Sequence, residues 1–425
     1  MEKFFADTFR LLRQADRSMY GTFLQLMEEE FRREGYREEK SSGVENILIV
    51  QLDAIGDMIV MSGLLREVRR NFPQARITLV VSPLVYPIVE LCPYVNEVLT
   101  FDIKTLEGRG PFNRNFPSML ERLADFCRKH FWKKKISVAF ATKCDGDSLP
   151  GIVMTYLSGA RERIGYDFLP YRRFYMKPNA ELDAMGKFFL NRMVEIPATV
   201  YVQAEAEFYL LTASGLKVEQ NHLELWFSAA EAQRARELLE DLPPECKKIV
   251  LGLGAGAPNR KYPPEKLLVA LKDLVEKNFA FVIVGGKSEL DAAIFLEKNL
   301  PREKVLNLAG KTTLRETEAV ISQTDFYLGN NTGVMHMAAA AQIPVIAIQR
   351  EASGRDNVVP KFFNDVYKFP PYQTKSIILR PTHPLGECAN SSPLYGGCLY
   401  REPHCITQIT PQEIVAAVEK MVREI

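Results

Sequence analysis

Short, continuous apolar runs separated by longer amphipathic stretches recur along most of this chain. Ile47-Leu48-Ile49-Val50, Ile77-Thr78-Leu79-Val80-Val81, Val98-Leu99-Thr100-Phe101 and Ile136-Ser137-Val138-Ala139-Phe140 have the length and composition of strands buried on both faces. Between them the pattern predicts helices over 58–70, 85–91 and 118–130, the first with a basic end (Arg66, Arg69, Arg70) that suits a helix C-terminus. A polar stretch, 216–245, ends in Leu242-Pro243-Pro244 and reads as a connection carrying one helix. A second alternation follows, with strands at 248–253, 280–284, 325–328 and 344–348 and helices near 264–276, 289–299 and 314–322. A closing helix spans 411–423, with Thr410 as N-cap and Pro411 at its first position. Strands alternating with helices mean parallel sheets with right-handed crossovers, so the expected class is α/β, two Rossmann-like doubly wound domains.

The boundaries read as a helical extension at 1–43, a first Rossmann-like domain at 44–215, the connection at 216–245, a second domain at 246–380, and a Cys-rich loop with the closing helix at 381–425. Apolar residues of the extension, from Phe4 to Met27 and Phe31, recur at helical spacing. They either pack on the first domain or serve oligomerisation or contact with a membrane surface. At 425 residues, 47% of them hydrophobic, there is apolar material for two cores. Lys plus Arg number 54 against 53 Asp plus Glu, a net charge of +1 that gives no electrostatic reason to expect nucleic acid. The first ten residues do not read as a signal peptide, and no long uncharged apolar run reads as a membrane span. A cytoplasmic protein is expected, with peripheral contact at the inner membrane left open. Of seven Cys, Cys92, Cys127, Cys144 and Cys246 fall in apolar or mixed segments and read as reduced core thiols.

In open parallel sheets, ligands bind beyond the carboxyl ends of the strands, so the informative residues should follow strands. Gly56-Asp57 does: Gly56 permits a tight turn and Asp57 falls in the first helical turn, where unpaired amides stabilise a carboxylate. Asp57 either caps that helix or works as a base, and Asp53 carries the same ambiguity. After the first strand of the second half comes the run from Gly252 through Gly254 and Gly256 to Arg260, Lys261, Tyr262 and Pro263. Alternate glycines allow a bulky ligand to approach, and the two cations suit a diphosphate. The third segment, Asn330-Asn331-Thr332-Gly333 followed by His336 on an Ala-rich helix, would aim free amides at an anion. His336 reads either as a packing residue or as a ligand contact.

Together these segments resemble glycosyltransferase family 9, the heptosyltransferase family, over roughly Asn46 to the C-terminus. Leu48 to Asp57 is similar to that family's opening strand and Ile-Gly-Asp turn, and Asn331 to Ala340 to its Thr-Gly-x-x-His helix start. The resemblance implies a GT-B fold, in which two Rossmann-like domains face one cleft. It implies Asp57 as catalytic base, Lys261 as a donor-phosphate contact with a catalytic part, Glu289 on the nucleotide ribose, and Thr332, Gly333 and His336 on the diphosphate and sugar. Gly254, Gly256, Arg260 and Asn331 complete the expected donor site. Two positions depart from the family: many members have Asp where Asn331 stands and a basic residue where Gln51 stands.

The implied reaction is inverting transfer of a sugar, heptose from a donor such as ADP-heptose, to a hydroxyl of a lipopolysaccharide-type or other glycan or lipid-linked acceptor. No catalytic metal is expected, because Lys261, Arg260 and the amides at 332 and 333 supply the positive charge. Lys143, Arg161, Arg163, Arg172 and Arg173 either meet an anionic acceptor or form a solvated basic face. A nucleotide-sugar epimerase and an inactive nucleotide-sugar-binding scaffold are the alternative readings. Near the end, His383, Cys388, Cys398, His404 and Cys405 crowd a loop-rich stretch, and Cys388, Cys398, Cys405 and His404 suggest a structural zinc or iron site.

Overall fold

The computed structural model describes residues 19–36, 43–103, 116–143, 149–167, 188–357, 359, 361–389 and 399–425. In chain order the first half contains α1 (Met19–Arg33), β1 (Asn46–Gln51), α2 (Ile55–Asn71), β2 (Arg76–Val81), α3 (Tyr86–Val89), β3 (Glu97–Thr100), α4 (Phe116–His130), β4 (Val138–Ala141), α5 (Leu149–Leu157), β5 (Glu162–Tyr166), β6 (Arg192–Val194) and α6 (Gln203–Ala213). Helix α7 (Ala229–Leu239) lies in the connection. The second half runs β7 (Lys247–Gly252), α8 (Pro264–Glu276), β8 (Phe279–Val284), α9 (Leu290–Asn299), β9 (Val305–Asn307), α10 (Leu314–Ile321), β10 (Phe326–Asn330), α11 (Gly333–Ala340), β11 (Val345–Ile348), α12 (Asp365–Lys368), β12 (Ser376–Leu379) and α13 (Pro411–Glu424).

Each half holds a six-stranded sheet, ordered β3-β2-β1-β4-β5-β6 and β12-β11-β10-β7-β8-β9. Every pairing is parallel, as near-continuous apolar strands require. Successive side chains of a strand point to opposite faces, so each strand feeds two cores. From β1, Leu48 and Val50 join α1, α4 and α5, whereas Ile47 and Ile49 join α2 and α6. From β7, Ile249 and Leu251 join α8 and α13, whereas Val250 joins α7, α10 and α11. That last core also takes in Ile59 of α2 and Ile88 of α3, so apolar packing runs unbroken from one half into the other.

Within the extension, Met27 and Phe31 are fully buried, with Phe31 edge-on to Trp132 and Tyr156 at 5.8 and 6.0 Å. Residues 19–36 therefore pack on the first sheet, while the expectation for 1–18 lies outside the described residues. Strands β5, β6, β9 and β12 are additions to the sequence reading. β5 opens on Glu162-Arg163, a polar start that hides it. Arg163 is buried, donating to the Phe189 and Ala160 carbonyls (2.7 and 3.1 Å) beside the Tyr156 ring. It is neither an acceptor contact nor part of a solvated basic face. Arg172 and Arg173 lie outside the described residues.

The basic end of α2 does two different things. Arg69 donates to the carbonyls of Phe72, Ala75 and Tyr94, satisfying backbone acceptors at and beyond the helix end. Arg66, 3% exposed, donates to Glu67 (2.9 Å), to Glu224 of the connection (2.5 Å), and to the carbonyls of Gln220 and His222. It thus ties the first sheet's helix layer to the segment that leads into the second half. Burial raises the affinity of Glu224 for a proton, but bonds from Arg66, Tyr94 and Trp226 outweigh it and hold the carboxyl below its ordinary value. Replacing Arg66 by Ala should cost about 3 kcal/mol, because two carboxylates lose the cation that compensates their burial. Chemical denaturation of Arg66→Ala checks this, and a loss below about 0.5 kcal/mol would show the network to be unimportant.

Candidate active site

Both sheets deliver a helix start to the same place. β1 ends at Gln51 and α2 begins at Ile55, with Asp57 in its first turn and no side-chain cap on that helix. β10 ends at Asn330 and α11 begins at Gly333, again without a side-chain cap. The leading amides of each helix have no intrahelical acceptor. The two starts are in van der Waals contact. A Cβ placed on Gly333 would lie 2.8 Å from Ile55 Cγ2 and 3.3 Å from the Gly56 nitrogen, and one placed on Gly56 would lie 3.1 Å from His336 Cδ2. Glycine at both positions is what lets the helices approach. Asp57 is half-buried at this junction.

His336 packs inside the protein and keeps one buried ring nitrogen unpaired. It is 4% exposed, edge-on to Phe369 at 6.2 Å, and its Nδ1 has no hydrogen-bond partner. Burial lowers its pKa to about 4, so the imidazole is neutral. Lys261 reaches Glu289, Nζ to Oε1 3.3 Å, which unites two of the expected donor residues. The Glu289 carboxylate also accepts from the Gly286 amide (3.0 Å) and the Ser288 hydroxyl (2.7 Å). Gly254 sits against this carboxylate, where a Cβ would lie 3.2 Å from Cδ, and Gly256 faces open space. Asn331, Thr332 and Gly333 are half-buried at the head of α11. Arg260 is not an open cation: its guanidinium pairs with Asp365.

One residue that sequence reasoning passed over joins the two loops of the second sheet. Asn330, 2% exposed, accepts from the Tyr262 amide (3.0 Å) and donates to the carbonyls of Leu253 (2.9 Å) and Gly254 (3.2 Å). It fixes the Gly-rich loop and Lys261 against the turn that leads into α11. Its signal was present as the first Asn of an Asn-Asn turn but looked like turn chemistry alone. Glu207 of α6 was also missed. It is 1% exposed, with Oε1 accepting from Gln203 (2.7 Å) and Oε2 without a partner. Burial raises its pKa well above the ordinary value; Gln203 opposes this, the charges of Asp57 and Asp53 add to it, and Lys368 opposes it. A glutamate among mostly apolar positions on a helix gives little sign of such a role. Asp145-Gly146-Asp147, an acidic pair just past β4 that the sequence reading also passed over, lies outside the described residues.

Beyond the carboxyl ends of β1 and β4 lies a small, partly open hollow whose walls include Gln51, Asp53, Thr142 and Lys143. Lys143 pairs with Asp53 at 2.5 Å, and Gln51, 3% exposed, leaves its Oε1 without a partner. In the C-terminal loop Cys388, His404 and Cys405 come together, whereas His383 bonds Thr382 and Cys398 lies outside the described residues. Cys92, Cys127 and Cys246 are buried free thiols, and Cys144 also lies outside the described residues.

Comparison with known proteins accords with this geometry. Residues 177–356 match the family model for glycosyltransferase family 9 (heptosyltransferase). The chain is 21% identical to lipopolysaccharide heptosyltransferase 2 of Salmonella typhimurium over 342 residues, covering 72% of this chain and 83% of that protein. It is 22% identical to lipooligosaccharide heptosyltransferase 2 of Haemophilus influenzae, covering 79% and 88%. Among solved structures, a glycosyl transferase family 9 protein from Veillonella parvula superposes with a TM-score of 0.66 at 17% identity, over 91% of this chain and 100% of that one. The ADP-heptose LPS heptosyltransferase II of E. coli superposes at 0.61 and 18% identity, over 89% and 99%. These likenesses give the fold as GT-B, α/β with two Rossmann-like sheets. The family model over residues 177–356 and the relatives thus agree on glycosyltransferase family 9, the heptosyltransferase family, as the family this chain resembles.

Proposed function

We propose that this glycosyltransferase transfers heptose, with inversion, from a nucleotide-diphosphate donor such as ADP-heptose to a hydroxyl of a lipopolysaccharide-type acceptor. The donor assignment draws on relatives named as lipopolysaccharide heptosyltransferases and on an E. coli heptosyltransferase structure, TM-score 0.60, described as being with ADP. The observation that carries the reading is the contact of the α2 and α11 starts, which sets the Asp57 turn beside Gly333 and His336. The first sheet's half takes the acceptor and the second takes the donor.

In this mechanism the acceptor approaches over the loops beyond β1 and β4, near Gln51, Asp53 and Lys143. Asp57 accepts its hydroxyl proton as the oxygen attacks the anomeric carbon and the bond to the nucleotide diphosphate breaks. The negative charge that develops on the diphosphate is met by the leading amides of α11 and by Lys261. Glu289 positions Lys261 and accepts from the ribose. Neutral His336 offers a hydrogen bond without adding charge. Asn331 and Gln51 leave the site one carboxylate and one cation different from many relatives, which tunes the choice of sugar and acceptor. Burial pushes the Glu207 carboxyl toward its neutral form, which limits further negative charge near Asp57. The Cys388, His404 and Cys405 cluster takes no part in the transfer.

Asp57→Asn should keep nucleotide binding while turnover falls by at least about 10³-fold, a general-base loss combined with misplacement of the hydroxyl. Transfer from ADP-heptose and ADP calorimetry measure the two quantities, and near-normal turnover would remove Asp57 from the chemistry. The wild-type kcat profile should lack a break between pH 6 and 7, roughly where an ordinary imidazole titrates, because His336 ionises only near pH 4. A break there that His336→Gln abolishes would contradict this. Glu207 gives a stability signature. Its folded pKa lies above its unfolded one, so the folded state binds the extra proton, and stability falls as pH rises through about 4.5 toward the folded value, by at most about 1.4 kcal/mol per unit. Glu207→Gln keeps the bond from Gln203 and should flatten the fall in melting temperature between pH 5 and 8; parallel curves for the two proteins would refute a protonated Glu207.

A further inference from the structure

After β12 the chain runs out to Ala389 and returns at Leu399, and few apolar side chains hold this excursion. Among its described residues from 381 to 408, only Pro381, Cys388, Cys405 and Ile406 are buried. Two of those four are cysteines, and they converge with a histidine. One ligand atom each from Cys388, His404 and Cys405 lie within 4.8 Å of one another. His404 Nδ1 is 3.5 Å from Cys405 Sγ. A tetrahedral zinc ion, with bonds of about 2.3 Å to sulfur and 2.0–2.1 Å to nitrogen, holds S and N ligands about 3.5 Å apart.

Two contacts would support a metal-bound sulfur and a fixed ring. The Leu385 amide donates to Cys405 Sγ at 3.3 Å, which stabilises a thiolate. Arg355 donates to the Cys388 carbonyl and brings a positive charge close by. The His404 ring stacks on Tyr400, centroids 3.9 Å apart and planes 18° apart. Gly386, at φ +52°, lies under that pair, where a Cβ would sit 2.9 Å from the Tyr400 hydroxyl and 3.6 Å from His404 Cε1.

The same segment grips the loop that carries Lys261. The Tyr400 carbonyl accepts from Asn259 at 2.7 Å, and Asn259 in turn accepts from Arg350 at 2.7 Å. Lys266 donates to the Thr407 carbonyl at 2.6 Å. A change in the His404 ring therefore reaches Asn259, two residues before Lys261, through one stacked tyrosine.

We propose that Cys388, His404 and Cys405 bind a structural transition-metal ion of the zinc or ferrous-iron class, and that this ion braces Asn259 and the donor loop from outside the reaction centre. Two thiolates and an imidazole are the donors such ions prefer over magnesium or calcium. The ion supplies the order that a loop this poor in apolar side chains does not obtain from a core.

Metal analysis of the full chain, purified under reducing conditions without chelator, should find about one equivalent of zinc or iron. Cobalt(II) replacing it should give a thiolate-to-metal charge-transfer band and the intense visible bands of tetrahedral coordination. His404→Gln leaves both thiols in place and should lose that spectrum while retaining native circular dichroism. Less than a tenth of an equivalent even after incubation with excess zinc, a Cys388–Cys405 disulfide in the peptide map, or an unchanged cobalt spectrum in His404→Gln would each overturn the site. The brace rests on the donor reading above and has its own readout: removing the ion should weaken ADP binding about tenfold. Unchanged ADP affinity in verified metal-free protein would overturn the brace, while the metal content and the cobalt spectrum decide the site without reference to transfer.

Discussion

The architecture turns on two helix starts that touch. Each sheet alone would present a helix N-terminus to solvent, with unpaired amides and nothing opposite. Glycine at 56 and 333 removes the two Cβ atoms that would keep α2 and α11 apart, and the first turns close to contact. The acidic residue in the first turn of one helix then lies beside the leading amides of the other. Apolar packing that runs from Ile59 and Ile88 into the second half's core holds this contact in place.

Around that contact, buried polar groups do most of the positioning. Asn330 satisfies three backbone groups and makes the loops after β7 and β10 a single unit. Glu289 holds Lys261 and Asp365 takes Arg260, so each of two neighbouring cations is tied to its own carboxylate. On the other side, Arg66 carries charge compensation from α2 into the connection. Each network ties a loop to a neighbouring element through buried or half-buried polar atoms.

The sequence was most legible where the physical signal is strong and local. Central strands of a covered parallel sheet must be apolar on both faces, and seven of them stood out as continuous runs, as did the edge strand β3. Thr410 and Glu413 close a capping box where Thr410 was read as a cap. Short or polar-headed strands were illegible for the same reason: β6 and β9 have three residues each, and β5 begins with two charged ones. Asp57, Lys261, Gly333 and His336 stood out as candidates because they follow strands, whereas Glu289 was named only through the family resemblance. Asn330, Glu207 and the pairing of Arg260 were not, since their meaning depends on partners far away in the chain. Arg163 shows the opposite error, a charge that reads as surface and is consumed by carbonyls the sequence cannot place.

A crystal structure of the chain with bound ADP tests the proposed shared crevice most directly. The account predicts the diphosphate within hydrogen-bond distance of the α11 leading amides and Lys261, the ribose on Glu289, and the Asp57 carboxylate facing the same space. A nucleotide seated elsewhere, or a carboxylate at position 57 turned away from the diphosphate, would contradict it.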